Sequence, residues 1–246
     1  MALQEEFERH GNWLFRHRSF LPLLTLPLIV LAFQNFHFPY GSHVLDTAWE
    51  GICLTVSLLG FVVRVYTVGH SPRRTSGRNS RKGQVAETLN TTGIYSLVRH
   101  PLYLGNFLLA LGPCMFLRAW WLVLVFVLAF WVYYERIMYA EEAFLSRKFG
   151  DEYRNWAGTT NAFFPSFRKW HPNTRPFSWR KVLKREHQTL FLLVTAFTAM
   201  EVVGDLIVYR KLKIDPVWAV LFGLSLGFFL VVRFLRKRTS LLRTTH

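Results

Sequence analysis

The chain has 246 residues, of which 51% are hydrophobic and 17% aromatic, and it carries a formal net charge of +15. The apolar residues gather in long runs instead of the short alternating patterns of a soluble core, which puts the chain in the membrane class. Its excess of Lys and Arg falls at the ends of those runs, where membrane topology requires it, so the charge does not mark a nucleic-acid-binding protein.

A helix needs roughly 20 mostly apolar residues to cross about 30 Å of hydrocarbon. Six runs approach that length, at 19–36, 48–68, 102–117, 120–139, 190–209 and 216–232, and they predict an all-α polytopic fold with about six transmembrane helices. The first run starts late, contains Pro22 and Pro27, and precedes no small-residue cleavage site, so it reads as an uncleaved membrane helix. Gly112 and Pro113 predict a bend in the third. Only Arg118 and Ala119 separate the third from the fourth, which makes these two a tight antiparallel hairpin. The two cysteines, Cys53 and Cys114, both lie within membrane runs, so no disulfide framework or zinc site is expected.

Of the 30 Lys and Arg, 23 fall in the N-terminal segment, the loops 70–100 and 140–188, and the C-terminal tail. That bias places both termini and both long loops in the cytoplasm, and in a prokaryote the membrane would be the inner one. Inside the runs remain Glu50, Arg64, Glu201, Asp205 and Arg233. Such charges need partners in lipid, and for Glu201 and Asp205 the nearest in sequence are Arg210 and Lys213.

The chain reads in three parts: an entry hairpin over 1–69, a central part over 70–170, and an interfacial segment with a third hairpin over 171–246. The loop SPRRTSGRNSRKGQVAETLNTTGIYS lacks a periodic apolar face, with one helical turn expected at 84–89. The fourth helix continues as a polar extension with Leu145 and Phe149 one turn apart, and Gly150 caps it. The stretch 156–181, with Pro165, Pro172, Pro176 and many aromatics, is expected to lie at the membrane interface.

Two clusters carry the chemistry. GIYSLVRHPLYLGN starts the third membrane helix, and EEAFLSRKFGDEY follows the fourth, so the hairpin should bring both to one pocket at its cytoplasmic end. Pro101 suits a first helical turn, whose free amides attract anions, with Arg99 and His100 adjoining. Glu141 and Glu142 offer carboxylates to an ammonium group, so the pair of sites suits an amino-acid-like ligand. Gly105 would let another backbone or a flat ring approach closely. Taken singly, the first cluster is also a plain interfacial anchor and the second a solvated helical face.

Together the runs resemble the paired signatures of the isoprenylcysteine carboxyl methyltransferase and phospholipid methyltransferase superfamily. The pattern there is Gly-x-Tyr, RHPxYxG, a membrane helix, then EExxLxxxFGxxYxxY and a proline. This chain matches over about residues 85–168, with Trp156 in place of the last Tyr and Pro165 as the closing proline. The resemblance implies a helical membrane enzyme that binds S-adenosylmethionine at the cytoplasmic face. It puts Tyr95, His100, Tyr103 and Gly105 along the cofactor, Glu141 and Glu142 on its ammonium, and Arg99 with Glu142 at the reacting groups. No metal is implied, and no GxGxxG fingerprint of a Rossmann methyltransferase follows a strand pattern.

The implied acceptor is a membrane lipid or lipidated substrate. Thr159, Thr160 and Asn161 stand where prenylcysteine enzymes carry a basic residue, and the basic loop and extra hairpin resemble bacterial members that methylate a lipid phosphate. O-methylation of an anionic headgroup is the reading carried forward, with a prenylcysteine carboxylate or a phospholipid amine as alternatives. A sterol-type NADPH-dependent reductase shares an RHPxYxG-like run but not the EExxLxxxFGxxY run. A non-enzymatic transporter would fit six helices, but no broken pair of helices in matching halves is present.

Overall fold

The computed structural model describes residues 2–17, 25–34, 36–37, 43–72, 84, 86–212 and 214–239, and among these it contains helices and no strand. The elements in order are α1 (Leu3–His17), α2 (Leu26–Phe33), α3 (His43–His70), the single turn α4 (Ile94–Leu97), α5 (Pro101–Phe116), α6 (Trp120–Phe149), α7 (Asp151–Thr159), α8 (Trp179–Tyr209) and α9 (Pro216–Arg238). Four of them, α3, α6, α8 and α9, are long and apolar enough to cross a membrane, and α5 is a shorter apolar helix. The protein is thus an all-α integral-membrane protein. Of the first apolar run only α2 and a few flanking residues are described. Residues 19–24, the basic loop with Arg73, Arg74, Arg78, Arg81 and Lys82, and Lys213 lie outside the described residues.

The chain forms two compact units that interleave in sequence. One consists of Met1–Pro27, His70–Leu104 and Leu124–Pro176, and the other of Leu28–Gly69, Gly105–Val123 and Phe177–His246.

In the second unit a core of Phe36, Phe116, Leu122, Leu193, Phe197 and Trp218 is closed by the turn between α5 and α6, where Arg118 adopts φ 56°. Backbone approach between α3 and α5 is close: a Cβ on Gly105 would stand 2.7 Å from Arg64 Cγ and 3.0 Å from the Gly60 carbonyl oxygen. Small residues allow such contact where lipid gives helices no hydrophobic drive to associate. The charges inside the runs find partners across helices. Arg64 donates from Nε and Nη2 to Glu186 at 3.0 and 2.9 Å and from Nη1 to Asn106. Arg118 pairs with Asp46, and Trp218 Nε1 donates to Glu50 at 3.0 Å. Glu201 is buried with its carboxylate within 4.8 Å of those of Asp46 and Glu50. That corrects its expected pairing with Arg210, since contacts between distant segments decide its surroundings.

In the first unit, α1 lies along α6, with Phe7 edge-on to Tyr139 at 5.9 Å and Arg147 donating to Glu8 at 2.9 Å. Gly150 adopts φ 57° between α6 and α7, a left-handed conformation that glycine reaches without a Cβ penalty, and its N–H closes on the Ser146 carbonyl. One sequence expectation changes here. Gln84 and residues 86–89 form no helical turn, because Ala86 and Leu89 instead pack side by side onto Leu145 and Tyr153. The stretch 156–181 is bounded by helices, since α7 continues through Thr159 and α8 begins at Trp179.

Candidate active site

The first cluster is fixed by its backbone before any side chain acts. Gly93 takes φ 62°, its N–H donates to the His171 carbonyl at 2.9 Å, and a Cβ there would run into the Asn173 side chain. Ser96 Oγ donates to the Gly93 carbonyl at 2.7 Å and accepts from His171 N at 2.9 Å. After α4 the chain extends through Val98, and Arg99 N and His100 N donate to the carbonyls of Asn161 and Ala162 at 2.8 and 3.1 Å. Ser166 N returns a bond to the Leu97 carbonyl at 3.0 Å. Pro101 then opens α5 at the position where its missing N–H leaves no bond unmade.

The second cluster sits on α6, and the two meet through side chains. Arg99 reaches Glu142 with both edges of its fork, Nε to Oε1 at 2.9 Å and Nη2 to Oε2 at 3.2 Å, while Nη1 donates to the carbonyls of Ala157 and Thr160 at 2.7 and 2.9 Å. His100 lies between the two acids, Nε2 at 2.9 Å from Glu142 Oε1 and Nδ1 at 3.6 Å from Glu141 Oε2. Tyr103 donates to Glu141 Oε2 at 2.8 Å and stacks on His100.

These residues border a small open cleft lined by Tyr95, Arg99, His100, Glu141, Leu145, Tyr153 and Trp156, with Ala86, Thr88, Leu89 and Asn90 as a further wall. Of the residues singled out in the sequence, Tyr95, Arg99, His100 and Glu141 line the cleft, and Glu142 and Tyr103 hold them by hydrogen bonds. Gly105 is not among the lining residues and instead faces Arg64 and Gly60. Sequence reading did not single out the wall Ala86–Asn90 or the α7 pair Tyr153 and Trp156. Tyr153 and Trp156 occupy the aromatic positions of the second motif, and that was the signal available. The wall has no periodicity to announce it.

Burial alone would push the His100 imidazole down, but the hydrogen bonds and charges of Glu141 and Glu142 outweigh it, so its pKa stands above the ordinary 6.5. A raised folded-state pKa adds stability that is complete below pH 6.5 and is lost as pH climbs through the folded value. The unfolding temperature of the purified protein is therefore expected to fall as pH is raised above 6.5, and His100→Gln is expected to remove part of that fall. An unfolding temperature that rises over the same range, or the same fall in the variant, contradicts the pairing.

Residues 50–152 match the phospholipid methyltransferase family. The chain is 33% identical over 156 residues to the nickel-cobalt-cadmium resistance protein NccN of Alcaligenes xylosoxydans xylosoxydans, covering 63% of this chain and 67% of that protein. It is 43% identical over 68 residues to the protein-S-isoprenylcysteine O-methyltransferase of Schizosaccharomyces pombe, covering 28% of this chain and 29% of the enzyme. Against the corresponding enzyme of Saccharomyces cerevisiae it is 30% identical over 155 residues, 60% of this chain and 64% of the enzyme. The chain thus spans about two thirds of the bacterial relative's length and less of the yeast enzymes. No solved structure matches it significantly.

The chain belongs to the superfamily of integral-membrane methyltransferases that includes the phospholipid and isoprenylcysteine enzymes. Within it, the chain is an enzyme of the S-adenosylmethionine-dependent class. The cleft suits the methionine end of that cofactor. It offers a buried carboxylate, Glu141, for an ammonium.

Proposed function

We propose that the cleft binds S-adenosylmethionine by its methionine end and that the protein O-methylates a membrane lipid whose headgroup is already anionic, a lipid phosphate first. Glu141 would hold the ammonium, with Glu142 beside it. Tyr95, His100 and Tyr103 would shape the seat. When bound, the cofactor supplies an electrophilic methyl group, so the protein's task is alignment in a water-poor site. Arg99 takes part by fixing Glu142 and the end of α7 relative to His100.

One observation carries the choice of an oxyanion over an amine: the state of the proton acceptors. An amine acceptor must lose a proton to a base. Glu142 is held by Arg99 and His100, and Glu141 accepts from Tyr103. His100 has a ring nitrogen against each of the two carboxylates, which raise its pKa above the ordinary value, so it is engaged by both acids. A phosphate or carboxylate needs no base. The cytoplasmic face assigned by the charge bias, where soluble cofactor is available, supports the same reading.

The likeness to the S. pombe enzyme over 68 residues favours a second reading, a prenylcysteine carboxylate, which the same geometry would serve. Capping a lipid phosphate removes an anionic oxygen and weakens its hold on divalent cations. Similarity to a protein named for nickel, cobalt and cadmium resistance makes that a property to measure. Lipid mass spectrometry of a strain lacking the protein is expected to show a phosphorylated lipid lighter by one methylene unit. A lightened amine headgroup, with phosphorylated lipids unchanged, contradicts the proposal.

A further inference from the structure

We propose that Asn90 is a cofactor-binding residue whose side-chain amide pairs with the edge of the adenine ring. The inference rests on the reading that the cleft holds S-adenosylmethionine.

Asn90 ends the wall of the cleft and is half-buried there. Its place is set from both sides. Ahead of it, Ala86 and Leu89 pack on Leu145 and Tyr153, and Lys148 Nζ donates to the Ala86 carbonyl. Three residues after it, Gly93 is pinned by its N–H bond to the His171 carbonyl at 2.9 Å. An asparagine in a loop ordinarily serves the backbone, by adopting a left-handed φ or by bonding a main-chain group nearby. Asn90 does neither: it lies outside the left-handed region, and its amide makes no hydrogen bond among the described residues. A fixed position on the cleft wall thus carries a donor and an acceptor that the fold does not use.

The surroundings state which ligand group fits. The lining divides by chemistry: Arg99, His100 and Glu141 are polar and suit the methionine end, while Leu89, Leu145 and Trp156 form one packed apolar group. The flat, apolar part of the cofactor is its adenine, so the apolar lining is where the base belongs. Leu89 precedes Asn90 in the chain, which sets the amide beside that lining. Adenine presents an amino donor next to a ring-nitrogen acceptor. A carboxamide presents a carbonyl and an N–H2 in one plane, so the two edges match through a pair of hydrogen bonds. The ribose offers only hydroxyls, which call for no such paired edge.

The test is calorimetric binding of S-adenosylhomocysteine, and of its analogue whose purine lacks the amino group, to the purified full chain in detergent, as wild type and as Asn90→Ala. Wild type is expected to prefer S-adenosylhomocysteine by roughly tenfold. The variant is expected to lose that preference, binding both ligands more weakly and about equally. Without ligand it should unfold at the wild-type temperature, because the amide it loses has no partner in the fold. Equal affinities in the wild type, a preference that survives in the variant, or a lowered unfolding temperature overturn the assignment. Failure of the wild type to bind either ligand removes the cofactor reading itself, an outcome seen before the variant is made.

Discussion

Arg99→Lys is expected to lower turnover about a hundredfold, the scale on which a small misplacement of a catalytic group acts. The guanidinium makes two bonds to Glu142 and two more to the carbonyls of Ala157 and Thr160, so it ties α6, α7 and the segment before α5 together. An ammonium has no planar fork and cannot reproduce all four. Affinity for S-adenosylhomocysteine should fall much less, because Glu141 is held by Tyr103 and His100 and not by Arg99. The two readouts separate positioning from binding: turnover and the Michaelis constant for the acceptor on one side, the dissociation constant of the cofactor product on the other. Full turnover in the lysine variant removes this network from the reaction.

The second large effect belongs to Glu141. Glu141→Gln keeps the shape and still accepts from Tyr103 Oη, but it loses the charge that would hold an ammonium. Losing a charge-assisted hydrogen bond costs about 1.5 to 3 kcal/mol, so affinity for S-adenosylhomocysteine should drop roughly ten- to a hundredfold. A soluble, folded variant with unchanged affinity would return Glu141 to the role of a structural acceptor for Tyr103.

How far such a site can be read from sequence depends on the range of the interactions that build it. Long apolar runs announce α3, α6, α8 and α9, because membrane thickness dictates length residue by residue. Pro101 and Gly150 mark helix boundaries, since φ restriction and φ freedom are local properties. The amphipathic α1 escapes that test, because it buries only the face of Gly11 and Phe15 and never forms an apolar run. The start of α8 escapes it too. Its first eleven residues carry four cationic side chains and read as loop, yet Val182, Glu186 and His187 are buried there.

The motifs show which residues share the cleft, but not how they divide the work. Arg99 and Glu142 are 43 positions apart, and nothing local says that the fork of one is taken up by the other. The same holds for Glu201, whose acidic neighbours come from α3, and for the Ala86–Asn90 wall, which is ordered by packing on Leu145 and Tyr153.

The most direct test of the central claim is transfer of a labelled methyl group from S-adenosylmethionine by the purified protein to three acceptors presented in detergent or vesicles: a phosphorylated glycolipid, a prenylcysteine and a phospholipid amine. Transfer to the phosphorylated glycolipid, abolished by S-adenosylhomocysteine and reduced by Arg99→Lys and Glu141→Gln, is the predicted result. Transfer to the amine alone, or transfer unaffected by either substitution, would contradict it.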